Sequence, residues 1–472
     1  MSALNESSQI FSSKSEIAST FENLKLSYQK NPYPSYKFRQ DILNRIKKIL
    51  IDNEQKLYQA LSKDYGHRSE FDSLIADFLP SVLGIKYTKS QLRKWMKPVK
   101  RHAGLALFPS QIKVHYQPLG VVGVIVPWNF PLYLSLSPMV TAIAAGNRVM
   151  VKMSEFTPAT YLCMKEIFSP LSDHIQFFNG EAEISSFFST LAFDHLLFTG
   201  STQVGKHVAA AAAQNLTPIT LELGGKSPAI VHKDAYLKRA VEAILMGKTL
   251  NSGQICVAPD YVLVHKDVKD EFVQMFMAAY NESYSNSDQF PYTHLISDKH
   301  IQRMNDYLRD AENKGASIIH LEDSKNQRPY APVLLLNVSN EMKVMQEEVF
   351  GSLLPILEYD DIDAALEFVN KRPRPLALYL MTENSQIKQR FLYESHSGGV
   401  CINDTLTHVA AEDAPFGGIG DSGMGHYHGV EGFRTFSKAK TVLTTPSWLP
   451  RNYLLLKNKA IAFKLFRFLF IR

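Results

Sequence analysis

Residues 251–259, NSGQICVAP, carry one of only three cysteines in 472 residues. A thiol becomes a nucleophile as its thiolate, and only beside groups that activate it and stabilise what it forms. Cys256 has candidates for both tasks elsewhere in the chain. Glu222, in TLELGGKSP, is a charged residue in an otherwise apolar strand that ends at two glycines. Apolar surroundings raise a carboxyl pKa, which suits a general base near neutral pH. Asn129, in PWNFP, follows an apolar run and is held between prolines. Its amide can donate to a developing oxyanion. Plainer readings exist for each: Cys256 as a small buried hydrophobe, Glu222 paired with Lys226, Asn129 as a turn former. Residue types alone leave both sets open.

A second group of residues suits a dinucleotide. FTGSTQVG, residues 198–205, follows an apolar strand and opens a helix. Backbone N–H groups and the helix dipole can hold a pyrophosphate there. Gly200 lacks the Cβ that would block the approach, and Ser201 offers a hydroxyl. The spacing to Gly205 is GxxxxG rather than GxGxxG, so a strand–helix turn with glycines for packing fits as well. VKMSE, residues 151–155, places Lys152 and Glu155 at the C-terminal edge of a neighbouring strand, where doubly wound sheets bind ligands. Glu155 can accept from ribose hydroxyls and repel a 2′-phosphate, which favours NAD over NADP; a solvated Lys/Glu pair is the plain alternative.

These residues need a scaffold that brings strand ends together. From Lys14 to about Pro98 the apolar spacing is helical, with a break near Pro80. Next come KVHYQP as a strand, a turn at residues 118–120, and a buried strand at 121–126. Helix and strand signals then alternate as far as QVGKHVAAAAAQ, which argues for a parallel, doubly wound sheet. After Pro218 a second set begins: ITLEL, SPAIVH, DYVLVH and LPILEY as strands, with helices between. The fold class is therefore α/β with two such domains.

Composition excludes several functions. Hydrophobic content of 45% and charged content of 21% are those of a soluble globular protein. A net charge of +5 with no Lys/Arg block interleaved with aromatics gives no nucleic-acid groove. Cys163, Cys256 and Cys401 have no CxxC pairing and no His at ligand spacing, so neither a metal site nor a disulfide framework is expected, and a reducing, cytoplasmic setting is. The first thirty residues lack a secretory core, and no window reaches the ~18 apolar residues of a span.

LELGGKSP around Glu222, GQICVAPDY around Cys256, PWNFP around Asn129, FTGST around Ser201 and EEVFG around Glu348 occur in one order with consistent separations. With GGVCIND at 398–404 and PFGGIGDSGMGHYHG from 415, the chain resembles the aldehyde dehydrogenase superfamily from about residue 15 to 445. CVAPDY, VCIND and GMGxYHG resemble its class 3 branch. SKDYGHRSEFD, KWMKP, VPWNFPLYLSLSP and KMSEFTPAT look most like coniferyl-aldehyde dehydrogenases.

The resemblance implies a Rossmann-type NAD-binding domain (1–97 and 119–221), a catalytic domain (222–415), oligomerisation and bridging segments (98–118 and 416–446) and a tail (447–472). Cys256 would attack an aldehyde to give a thiohemiacetal, with the oxyanion held by the Asn129 amide and the Cys256 N–H. Hydride would leave to the nicotinamide, and Glu222 would activate the water that hydrolyses the thioester. Lys152 and Glu155 would hold the adenosine ribose. Gly180, Thr199, Gly200, Ser201, Gly205 and Leu223 would lie along the dinucleotide, the pyrophosphate beside Gly200 and Ser201. Glu348 would bond the nicotinamide ribose, Phe350 would face the ring, and Trp128 would line the junction with substrate. NADP remains possible, because related enzymes with the same Glu accept it. The family usually has Pro after EEVFG; Ser352 here is expected to loosen the loop of Glu348. The expected substrate is coniferaldehyde or another aromatic or medium-chain aldehyde.

KVHYQP (113–118) and AKTVLTT (439–445) fit the family's dimer-forming segments, so a homodimer is expected. The tail mixes Lys457, Lys459, Lys464, Arg467 and Arg472 with Leu, Ile and Phe, and Lys457, Lys464 and Arg467 fall near one side of a helix. Peripheral membrane contact and packing on a partner are both open. So are three other readings: a cofactor-independent thiol esterase, a fatty-aldehyde dehydrogenase at a membrane surface, and a non-catalytic nucleotide-binding scaffold.

Overall fold

Five runs between Val121 and Leu223 are so continuously apolar that neither face suits water, and they form the interior of one sheet. In the computed structural model, which describes residues 11–284, 292–322 and 330–471, this sheet runs in the order Gly423–Met424, Ile219–Leu223, His195–Gly200, Val121–Ile125, Arg148–Met153, Ile175–Asn179. All neighbours are parallel except Gly423–Met424, which pairs antiparallel through Gly423 and Glu222. Strand order reverses beside Val121–Ile125, the switch point at which such sheets leave a crevice. Helix Tyr133–Ala145 packs on this sheet, with Pro138 inside it.

The second sheet runs Ser317–His320, Val333–Leu336, Leu353–Tyr359, Tyr261–His265, Pro228–Val231, Ala377–Met381, Gly399–Ile402. Among the described residues only Ser317–His320 is antiparallel to its neighbour. A third, antiparallel sheet joins Val99–Arg101, Gln111–Pro118 and Ser437–Thr444, in register from Ser437 opposite Pro118 to Thr444 opposite Gln111.

Three expectations are corrected. ITLEL belongs to the first sheet, not the second, because Ile219–Leu223 hydrogen-bonds in parallel with His195–Gly200. The passage between sheets therefore falls after Leu223 rather than at residue 221, and Gly423–Met424, placed with the bridging segment, closes the first sheet's edge. The break near Pro80 is a π-helical turn at Leu74–Phe78, and Pro80 sits in the first turn of Leu79–Trp95, where a missing N–H costs little. The tail is two helices, Arg451–Lys457 and Lys459–Phe470, broken at Asn458, so Lys457 does not share a helix with Lys464 and Arg467. Arg472 lies outside the described residues.

Candidate active site

The loop that presents Cys256 begins where helix Leu237–Thr249 stops. Asn251, Ser252 and Gly253 all take positive φ, at 50°, 53° and 69°. Two consecutive non-glycine residues in that region are strained, and such strain persists only where the surroundings over-determine it. They do so here. The Asn251 N–H donates to Asp72 Oδ2 at 3.0 Å, and its side chain donates to the Asn129 carbonyl at 3.1 Å. The Ser252 hydroxyl donates to the Thr293 carbonyl. Gln254 donates to the carbonyls of Asn251 and His294 and accepts from the Ile296 N–H. Gly253 meets the Gly351 carbonyl, which a Cβ would approach to 2.5 Å.

That clamp points a half-buried Cys256 into an apolar cavity of about 280 Å³. Phe130, Tyr133, Leu250, Leu406, Phe416 and Tyr427 are among its walls. Asn129 reaches the same loop: Nδ2 donates to the Gln254 carbonyl at 3.1 Å, which leaves its second N–H for another acceptor. The Asn129 main-chain carbonyl accepts from Tyr65 Oη at 2.9 Å and Arg68 Nη1 at 2.8 Å. Arg68 is in turn paired with Asp77 at 2.8 Å, both fully buried, and Asp77 accepts the Tyr133 N–H.

Glu222 is 3% exposed, and neither carboxyl oxygen has a hydrogen-bond partner among the described residues. Burial alone pushes its pKa well above the usual range. The Lys226 pairing does not occur: Lys226 bonds Asp260 and the carbonyls of Val344 and Glu347. Burial, then the negative charges of Glu348 and Glu222, push the Cys256 thiol up to about 12. The thiol and both carboxyls thus share one electrostatic neighbourhood.

Glu348 lies over the Gly224–Gly225 turn, where a Cβ on Gly224 would overlap its carboxylate and where the Gly225 N–H donates to it. Burial and the neighbouring Asp260 raise its pKa to about 8. Phe350 meets Trp128 edge-on, ring centres 5.3 Å apart. Ser352 does not loosen this loop. It is fully buried, and its hydroxyl donates to the Ser252 carbonyl at 3.0 Å, tying the Glu348 loop to the Cys256 loop.

Lys152, Gly180, Thr199, Gly200, Ser201 and Leu223 all fall at C-terminal strand ends of the first sheet or just past them. Lys152 is buried and 3.7 Å from Glu155, whose own side chain keeps contact with solvent. Burial lowers the lysine pKa. Ser201 caps helix Thr202–Ala213. Gly205 meets Leu223, at 2.7 Å from where a Cβ would stand, and Gly180 meets Ile184 at 2.6 Å. Packing requires glycine at 180, where a Cβ would strike the Ile184 Cβ, while a Cβ at 205 would displace the end of the Leu223 side chain. A buried cation, a capped helix N-terminus, a carboxylate over a Gly–Gly turn and two facing aromatic rings form a set that fits a dinucleotide.

Three residues here escaped the sequence reading. Lys248, 1% exposed, has an amine with no partner among the described residues, and burial lowers its pKa to about 8. Arg303 Nη2 donates to the Val349 carbonyl at 3.0 Å and so supports the strained Phe350, at φ 46°. His300 stands edge-on to Trp128 at 4.9 Å and to Phe156 at 6.1 Å. On a helix each looks like any solvated polar residue, so no signal marks them.

Residues 15–442 match the aldehyde dehydrogenase family along their whole length. The chain belongs to that family. This aldehyde dehydrogenase is 50% identical over 434 residues to a probable coniferyl aldehyde dehydrogenase of Pseudomonas aeruginosa, with 91% of each chain covered. It is 42% identical over 441 residues to a coniferyl aldehyde dehydrogenase of a Pseudomonas species, covering 91% of this chain and 90% of the relative. A substrate-bound Staphylococcus aureus AldH superposes with a TM-score of 0.88 at 36% identity, over 94% of this chain and 99% of that one. The enzyme oxidises an aldehyde with a nicotinamide cofactor. Among the described residues no cluster of metal-ligating side chains occurs.

Proposed function

We propose that this aldehyde dehydrogenase oxidises coniferaldehyde and related aromatic or medium-chain aldehydes to acids through Cys256. The carrying observation is the strained loop, held by several hydrogen bonds, that keeps this thiol at an apolar, aromatic-walled cavity. In the chemical step Cys256 Sγ attacks the carbonyl carbon. The Asn129 amide and the Cys256 main-chain N–H stabilise the oxyanion. The nicotinamide supplies a hydride acceptor when bound. Loss of hydride from the thiohemiacetal carbon leaves a thioester on Cys256. Glu222 then takes a proton from water, the hydroxide adds to the thioester, and the acid departs with the thiol restored. A buried, unpaired carboxyl of raised pKa suits that proton transfer.

Residues 1–97 with 119 onward to Leu223 serve as the cofactor domain, 224–415 as the catalytic domain. Lys152 and Glu155 hold the adenosine ribose, and Gly180, Thr199, Gly200, Ser201, Gly205 and Leu223 line the dinucleotide. Glu348 holds the nicotinamide ribose, with Phe350 and Trp128 at the ring. The Glu155 carboxylate selects NAD over NADP. Strand Ser437–Thr444, which exposes most of its residues, and its half-buried neighbour Gln111–Pro118 build a homodimer. The C-terminal helices remain available for peripheral membrane contact.

The test follows 340 nm absorbance with NAD and with NADP on coniferaldehyde, benzaldehyde, hexanal and decanal. The expected result is a kcat/KM highest for coniferaldehyde and NAD, with Glu155→Gln narrowing the cofactor ratio. Ester cleavage without nucleotide, and no NADH from any aldehyde, would establish the thiol esterase instead.

A further inference from the structure

The last forty residues differ from the rest of the chain in charge. Residues 433–472 hold nine Lys or Arg and no Asp or Glu, which leaves 42 basic against 46 acidic residues in the remainder. An enzyme body of net charge −4 thus ends in a segment of +9. Within it, Arg451–Lys457 and Lys459–Phe470 contain no buried residue.

The second of these helices gathers its cations on one side. At about 100° per residue, Lys459, Lys464 and Arg467 fall within one arc of roughly 140°, which Phe463 and Phe470 share. Ile461, Leu465, Phe468 and Leu469 occupy the opposite arc and are 67%, 49%, 64% and 55% exposed. The root of the tail is anchored: Arg451 Nη1 donates to the Leu107 carbonyl at 3.2 Å. Beside that contact Leu105, Phe108 and Trp448 are 83%, 74% and 71% exposed. Among the described residues no helix is long and apolar enough to cross a membrane.

We propose that the C-terminal helices dock this enzyme in the plane of an anionic lipid surface. The inference rests on the peripheral contact proposed above for the tail, and names the lipid that would make it. The apolar arc enters the acyl boundary while the Lys and Arg side chains meet headgroup phosphates. The tail's own charge disfavours the other occupant, a second copy. A second copy that covered the apolar arc would leave the cations of the opposite arc without counter-charge. It equally disfavours a neutral bilayer as the main partner, since the cations would have no counter-charge there. Docking would place the apolar cavity of Cys256 close to a phase in which apolar aldehydes dissolve.

The experiment sediments the full chain with vesicles of phosphatidylcholine alone and of phosphatidylcholine mixed with phosphatidylglycerol. Binding is expected only with the mixed vesicles, and is expected to weaken as salt is raised. The charge reversal K459E/K464E/R467E should lower partition by at least about a hundredfold. L465S/F468S should also lower it. Both variants should keep wild-type turnover of hexanal and wild-type mass by light scattering. Three outcomes overturn the proposal: no binding to the mixed vesicles, equal binding to both kinds, or a changed oligomer in L465S/F468S, which would show that a second copy covers the face. A protein that oxidises hexanal but ignores vesicles refutes docking alone. One that binds vesicles but oxidises no aldehyde refutes the catalytic reading alone.

Discussion

At the scale of single residues, the site is a thiol and two carboxyls that each resist ionisation. Glu222 works as a base only when deprotonated, and Cys256 attacks only as thiolate. Burial raises both pKa values, so the working forms appear as pH rises. The sign is therefore fixed: kcat/KM should climb from pH 6 into the alkaline range through Cys256, and kcat should climb through Glu222 where deacylation limits turnover, both measured as NADH formation in overlapping buffers. Glu222→Gln removes the base without changing shape. It should slow turnover by about 10²- to 10⁴-fold while leaving a burst of NADH equal to the enzyme, because acylation precedes the step it blocks. Asn129→Ala loses an oxyanion donor and should lower kcat about 10²- to 10³-fold, read in steady-state assays. Cys256, Glu222 and Asn129 stand out as candidates in the sequence because each breaks its local pattern: sulfur in a glycine turn, charge in an apolar strand, amide between prolines. Lys248 was not, because a lysine on an amphipathic helix reads the same whether solvated or entombed.

At the scale of elements, the positioning comes from a few buried polar ties. Arg68 and Asp77 form a fully buried pair that also holds the Asn129 carbonyl and the first turn of Tyr133–Ala145. Arg68→Ala would strand a buried carboxylate. It should cost about 3–5 kcal/mol in thermal or denaturant unfolding, with activity falling in parallel. Ser352, expected to loosen its loop, instead bonds the Ser252 carbonyl, so Ser352→Ala should weaken the join between the Glu348 and Cys256 loops by about 1 kcal/mol. The five parallel strands of the first sheet were visible because they are largely apolar on both faces and are followed by Gly, Ser or Pro. The partner of ITLEL was not, since an apolar strand does not encode its neighbour. Ala377–Met381 and Ser317–His320 were missed: both are runs of four or five residues next to polar segments, although Pro375 and Gly315 precede them.

At the scale of the whole molecule, two sheets meet so that strand ends of one carry Asn129, Glu222 and the residues proposed to line the dinucleotide, while loops of the other carry Cys256 and Glu348. Binding that spans both should stabilise the fold. NAD at about a hundred times its Kd should add about 2.7 kcal/mol, seen as a rise in Tm, with NADP giving less because of Glu155. The two-domain α/β plan was legible from alternation alone, and the family from its spaced motifs. The broken tail was not, because Asn458 interrupts an apolar-basic run that otherwise reads as one helix.

The central claim is that Cys256 carries the substrate as a thioester. The direct measurement is intact-protein mass after Glu222→Gln enzyme is mixed with NAD and coniferaldehyde, followed by peptide mapping. The account predicts one acyl adduct, on the peptide containing Cys256, formed only with NAD present and absent from the Cys256→Ala enzyme. An adduct on another residue, or NADH formed at the wild-type rate by Cys256→Ala, would contradict it.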